Sequence, residues 1–77
     1  MEAYVLIQTE VGRAPQVARE VRMLGGGIVE ADVVVGPFDV VVRVQAESID
    51  ALGRQVVSRL QLINGLVRTL TCPIIHL

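Results

Sequence analysis

Single residues of catalytic type come first. The chain has one histidine, His76, and one cysteine, Cys72. A nucleophile needs a base within hydrogen-bond reach and a third group to orient that base. His76 lies in the apolar tail Ile74-Ile75-His76-Leu77, and Cys72 precedes Pro73 with no candidate base beside it. Both read as structural or surface residues. One histidine without a cysteine cluster also cannot build the four-ligand set of a structural zinc site, and no cofactor is expected. The run Gly25-Gly26-Gly27 has the composition of a phosphate-cradling loop. It leaves a helix and enters a strand, however, the reverse of the strand-to-helix polarity such loops need. What remains is Gly36-Pro37-Phe38-Asp39, a carboxylate set where two valine-rich runs turn. Such an Asp either shapes the turn through its own side chain or reads a ligand, and both readings stand at this stage. Gly36 fits a backbone that a Cβ would forbid, with close ligand approach as a second use.

The elements that position these residues follow from pattern. Residues 3–9 read as a strand, with Val5 and Ile7 on one face and Tyr4 and Leu6 on the other. Residues 14–24 read as a helix, with Pro15 in the first turn and an apolar stripe of Ala14, Val17, Val21 and Leu24. The glycine run ends it, one glycine taking the left-handed position. Residues 28–35 and 38–45 are dense in β-branched residues and form a hairpin around Gly36-Pro37. Ser48 caps a second helix over 49–60, with a stripe of Ile49, Leu52, Val56 and Leu60. Asn64-Gly65 is a turn, and residues 66–72 are the last strand. The order β-α-β-β-α-β is the α+β, ferredoxin-like arrangement, a four-stranded antiparallel sheet with both helices on one face. Phe38, Val40, Val42 and Val44 are expected to face the helices.

Size then constrains function. At 77 residues there is room for one domain, spanning 1–77. A chain of this length buries only about 60% of its unfolded surface, and ordering costs about 1.5 kcal/mol per residue. One cysteine excludes an internal disulfide, which leaves association with other subunits. The hydrophobic fraction of 52% supports this, as does a mean hydropathy of +0.57. The open sheet face is expected to carry Tyr4, Leu6, Glu30, Asp32, Val34, Val41, Arg43 and Leu70. That is too apolar for a solvated face and too charged for a core, and it reads as a dimer interface whose charged pairs fix register. Pairing of Glu30 or Asp32 with Arg43 inside one chain is the plainer alternative. The net charge of −1, with seven arginines and no lysine, offers no basic excess for phosphates, so direct nucleic-acid binding is not expected. No apolar run approaches the ~20 residues of a membrane span, no secretory signal pattern is present, and a lone cysteine suits the cytoplasm.

Three segments together resemble the effector-binding domain of the Lrp/AsnC regulators, also called RAM: AYVLIQTE at 3–10, VEADVVVGPFDVVVRV at 29–44 and TLTCPI at 69–74. The resemblance covers the whole chain, and the Gly-x-x-Asp at Gly36 to Asp39 is its most specific part. Family members carry a helix-turn-helix before this domain. Here the first strand starts at Ala3, so a stand-alone module is expected. The resemblance implies dimers joined sheet to sheet, assembled into octamers or similar rings, with amino-acid effectors bound between dimers. It assigns effector contact to Gly36, Pro37, Phe38 and Asp39, to Leu62, Ile63 and Asn64, and to a hydroxyl of Thr69 or Thr71. The implied function is amino-acid sensing in transcriptional regulation, alone or by co-assembly with full-length Lrp/AsnC regulators. The competing reading is a small dimeric α/β-barrel monooxygenase or isomerase. Such enzymes need a polar cavity between sheet and helices, and the residues expected there are nearly all Val, Leu, Ile and Phe.

Overall fold

The computed structural model describes residues 1–77. Strand β1 (Glu2–Thr9) is followed by helix α1 (Ala14–Met23), strands β2 (Ile28–Val33) and β3 (Val40–Gln45), helix α2 over residues 49–60, and strand β4 (Leu66–Pro73). The four strands are antiparallel in the order β2-β3-β1-β4. This is the ferredoxin-like βαββαβ fold.

Alternation decides which face each strand buries. Ala3, Val5 and Ile7 of β1 and Val40, Val42 and Val44 of β3 are fully buried. They meet Val17 and Val21 of α1 and Leu52, Val56 and Leu60 of α2 in one core. Each large apolar side chain of this layer contributes about 1.5–3 kcal/mol by leaving water, so the layer holds the helices to the sheet. On β2 the alternation is reset by an irregularity between Ile28 and Glu30. Ile28 and Ala31 both turn inward, three residues apart.

The helix α2 is capped as expected, Ser48 Oγ accepting from the Ala51 N–H at 3.1 Å. Its first turn, Ile49–Ala51, and last turn, Ser58–Leu60, are α-helical, and the middle, Leu52–Val57, is a wider π-helix. The inward stripe is Ala51, Leu52, Val56 and Leu60, and Ile49 in the first turn is 60% exposed rather than part of it. Two arginines lock the helices. Arg22 donates from Nε and Nη2 to the Ala31 carbonyl, at 3.0 and 2.7 Å, tying α1 to β2. Arg59 donates to the carbonyls of Leu24, Gly25 and Gly26, tying α2 to the exit of α1. All three glycines there have positive φ, not one alone. Gly27 has no alternative, because a Cβ would lie 2.7 Å from the Gln45 carbonyl oxygen.

Three sequence expectations change. β2 ends at Val33 and β3 begins at Val40, so the connection is a six-residue loop rather than a tight turn. Phe38 does not face the helices. It lies in that loop, half-buried and outside the core. Arg43 forms no ion pair with Glu30 or Asp32, because Glu2 of β1 takes its guanidinium.

Two glycine substitutions test this account in opposite directions. Gly27→Ala forces a strained φ and a backbone clash and is expected to cost at least about 1–3 kcal/mol. Gly53→Ala adds a Cβ in open space within α2 and is expected to stabilise by about 0.5–1 kcal/mol. Urea unfolding of both variants, followed by circular dichroism, gives the two signs.

Candidate functional site

The loop between β2 and β3 is held onto the end of β1 by Asp39. Its N–H donates to the Ile7 carbonyl at 2.8 Å, and its carbonyl accepts from the Val34 N–H at 2.9 Å. Its side-chain Oδ2 accepts from the Thr9 N–H at 2.8 Å. The Thr9 N–H lies on the same side of β1 as the Ile7 carbonyl, beyond the last β1–β3 pair, Ile7 with Val40, so no strand residue reaches it and Asp39 satisfies it. The carboxylate therefore has a structural task through one oxygen, and Oδ1 makes no bond within the chain. Gly36, at φ +154°, has nothing within 4 Å of where a Cβ would stand. Its use of glycine is conformational, and the loop tip lies open.

A second loop reaches the same end of the sheet, where Glu10 N–H donates to the Gly65 carbonyl at 2.8 Å. From the strand that follows, Arg68 places its guanidinium 5.4 Å from the centre of the Phe38 ring. Contacts of this kind contribute about 0.5–1 kcal/mol when exposed. The chain's two salt bridges are Arg13–Glu10 and Arg43–Glu2, and Arg68 is in neither. Thus an uncommitted guanidinium stands beside the Gly36–Asp39 loop. Strand alternation alone assigns Arg68 to the open face and no further. Thirty positions separate it from Phe38, and no local pattern signals the stack.

The other residues assigned by resemblance lie elsewhere on the subunit. Leu62, Ile63 and Asn64 line a cleft with Glu20, Met23, Leu24 and Arg59 on the helical side. Thr71 lies in a groove with Ile49, Leu52 and Val57 of α2, and the hydroxyl of Thr69 is 3.5 Å from Gln61 Nε2. Both threonines thus turn toward the helices. Gly36, Pro37, Phe38 and Asp39 line none of the three clefts.

The open face of the sheet is assembled by register. Tyr4 stands between Arg43 and Cys72, and Leu6 between Val41 and Leu70. Glu30 and Asp32 stand opposite Arg43 and Val41 on the other side. Tyr4 is 39% and Leu70 50% exposed, Glu30 and Asp32 are exposed, and Val41 and Leu6 are half-buried; Val34, expected on this face, lies past the end of β2 in the loop instead. Arg43 is the centre of this face. It donates from Nε and Nη2 to Glu2 Oε1, and its guanidinium lies 6.0 Å from the Tyr4 ring centre. The hydrogen bond from Arg43 holds the Glu2 carboxyl below its ordinary range, and the same bond raises Arg43.

The subunit thus has a solid core, a loop held at the sheet end and an uncovered mixed face. The sequence profile of the Lrp/AsnC ligand binding domain matches residues 2–76, and the chain belongs to that family. Among solved structures, TTHA0845 from Thermus thermophilus is similar, with a TM-score of 0.86 and 25% identity over 99% of this chain and 94% of that one. The hypothetical protein PHS023 from Pyrococcus horikoshii has a TM-score of 0.81 at 22% identity, over 97% and 90% of the two chains. AsnC of E. coli has a TM-score of 0.79 at 21% identity, and the match takes in 99% of this chain but 54% of AsnC. No functionally curated protein matches the chain. No helix is long and apolar enough to cross a membrane.

Two measurements test the arrangement. Asp39→Ala removes a charged acceptor from the Thr9 amide and is expected to cost about 1.5–3 kcal/mol, with faster hydrogen exchange at Thr9. For the Glu2–Arg43 pair the sign follows from the lowered Glu2 carboxyl: its contribution is present above the unfolded-state value and is lost as pH falls through the folded one. An acid titration of stability should therefore flatten in Glu2→Gln, with the neutral-pH stability reduced.

Proposed function

We propose that this chain is an amino-acid-sensing regulatory module of the cytoplasm that works as an oligomer, its subunits paired through the open sheet face. The observation that carries the reading is the Gly36–Asp39 loop with Arg68 beside it. A zwitterion needs an anion reader and a cation reader close together. Arg68 offers a planar fork suited to a carboxylate, and the loop's main-chain N–H groups add to it. Asp39 Oδ1 is left for the ammonium group. None of the clefts on a single subunit is lined by this loop, so enclosing an effector there calls for a second subunit. Leu62, Ile63, Asn64, Thr69 and Thr71 face other surfaces of the subunit, and in an assembly they would reach the effector from a neighbouring subunit.

The case for association is physical. The face holds Tyr4, Leu6, Val41 and Leu70 among Glu30, Asp32 and Arg43, a mixture suited to an interface with charged positions that set register. A domain of this size gains most from burying such a face. Co-assembly with full-length Lrp/AsnC regulators is the natural extension, since the same face would pair in both. The space between sheet and helices is filled by Val, Ile and Leu side chains, and nothing there favours an enzyme.

Light scattering at micromolar concentration is expected to give a dimer or a larger ring, and a stable monomer would refute the assembly. Calorimetric titration with the amino acids is expected to give saturable heat for at least one, and no heat for any would refute the sensing. Arg68→Gln should weaken that binding about tenfold or more, the size of a lost charge-assisted hydrogen bond, at unchanged oligomer size.

A further inference from the structure

Opposite charges stand at opposite edges of the open sheet face. β2 is one edge strand of the sheet and β4 is the other. On β2, Glu30 and Asp32 are level with Arg43 and Val41. On β4, Arg68, Leu70 and Cys72 are level with Gln8, Leu6 and Tyr4. Glu30, Asp32 and Arg68 are all exposed, and none takes part in either salt bridge of the chain. They cannot meet within one subunit, because three strand spacings, about 14 Å, separate the two edges. Between the edges the face is apolar, with Val41 beside Leu6 and Leu6 beside Leu70.

A face that meets its own copy does so about a two-fold axis. Sheets packed in the aligned manner keep their strands within about 30° of one another. The axis therefore runs either across the strands or along them. Across them, each edge faces itself, and the acids of β2 lie over the partner's acids, an arrangement that like-charge repulsion strongly disfavours. Along them, between β3 and β1, the β2 edge of one subunit lies over the β4 edge of the other. Register then sets Val41 over the partner's Leu6 and Asp32 over the partner's Leu70. The partner's Arg68 is the next open-face position on that strand, about 7 Å further on, within the span of an arginine side chain.

We infer, resting on the proposed pairing through this face, that its edge charges select the partner and the direction in which it docks: Glu30 and Asp32 of one subunit meet Arg68 of the other, twice in each symmetric pair. The apolar centre supplies the adhesion and the edge charges supply the discrimination. A subunit with no cation to set against Glu30 and Asp32, or no acid to set against Arg68, leaves charge unpaired and is rejected. That restricts which related subunits could co-assemble with this chain. Arg68 can serve this contact and an effector carboxylate together, since its planar fork carries five N–H donors.

The test exchanges charge between two variants of the full chain. One carries Glu30→Arg with Asp32→Arg, the other Arg68→Glu, all at exposed positions outside the core. Each variant alone sets like charges together and is expected to self-associate at least about tenfold more weakly than the unmodified chain in sedimentation equilibrium. Mixed in equal amounts, the two regain opposite charges at both contacts, and native mass spectrometry is expected to show mixed pairs in excess over either self-pair. Asp32→Asn, a neutral change at an exposed site, gives a second reading. It is expected to weaken pairing severalfold, whereas acids facing acids would make it strengthen pairing. An unmodified chain that associates while the exchange changes nothing would overturn this inference and leave the proposed pairing standing, as would tighter pairing of Asp32→Asn. An unmodified chain that stays monomeric would overturn both.

Discussion

The structure depends on an imbalance: a four-stranded sheet has two faces, and within these residues the helices cover one. Val40, Val42 and Val44 are sealed beneath α1 and α2, while Val41 and Arg43 on the same strand point the other way. Every feature of the open face follows from that alternation. Arg43 could not leave it without a register slip that would drive a guanidinium into the core. It is therefore held in place by Glu2 and laid near Tyr4. A face so ordered, half apolar and unpartnered, is what a second subunit would cover under the proposed function.

The end of the sheet is governed by a smaller constraint, the fate of one amide. Past the last β1–β3 pair the Thr9 N–H leaves the ladder, and Asp39 reaches across from the β2–β3 loop to accept it. That bond draws the loop against β1, while Gly65 draws the next loop to Glu10. Phe38, outside the core, becomes the platform for Arg68. The candidate effector site is thus a by-product of satisfying the backbone at the end of a sheet. Asp39 shapes the loop, and what ligand-reading capacity it keeps lies in its second oxygen.

Much of this is legible from the chain alone. Period-two runs of valine, a helical stripe at Val17 and Val21, and the Ser48 cap determine the elements and their order. The order determines the ferredoxin-like fold and the existence of an open face. The 29–44 segment points to the Lrp/AsnC family, whose profile the chain matches. These are local or compositional properties, and short-range sterics and side-chain period express them directly.

Only the tertiary structure decided the rest, because it depends on groups far apart in sequence that compete for the same partners. Arg43 has Glu30 directly opposite it, yet Glu2 on the neighbouring strand takes the pair. Arg59 and Arg22, which a helical wheel places in solvent, go instead to backbone carbonyls at the exit of α1 and on β2. Phe38 continues the alternation of Val40, Val42 and Val44 in the sequence, but β3 begins only at Val40, so that alternation does not reach it. Sequence sets which faces are apolar and where most helices and strands must begin. Which donor meets which acceptor is settled only when the whole chain has closed, since each choice removes a partner from all the others.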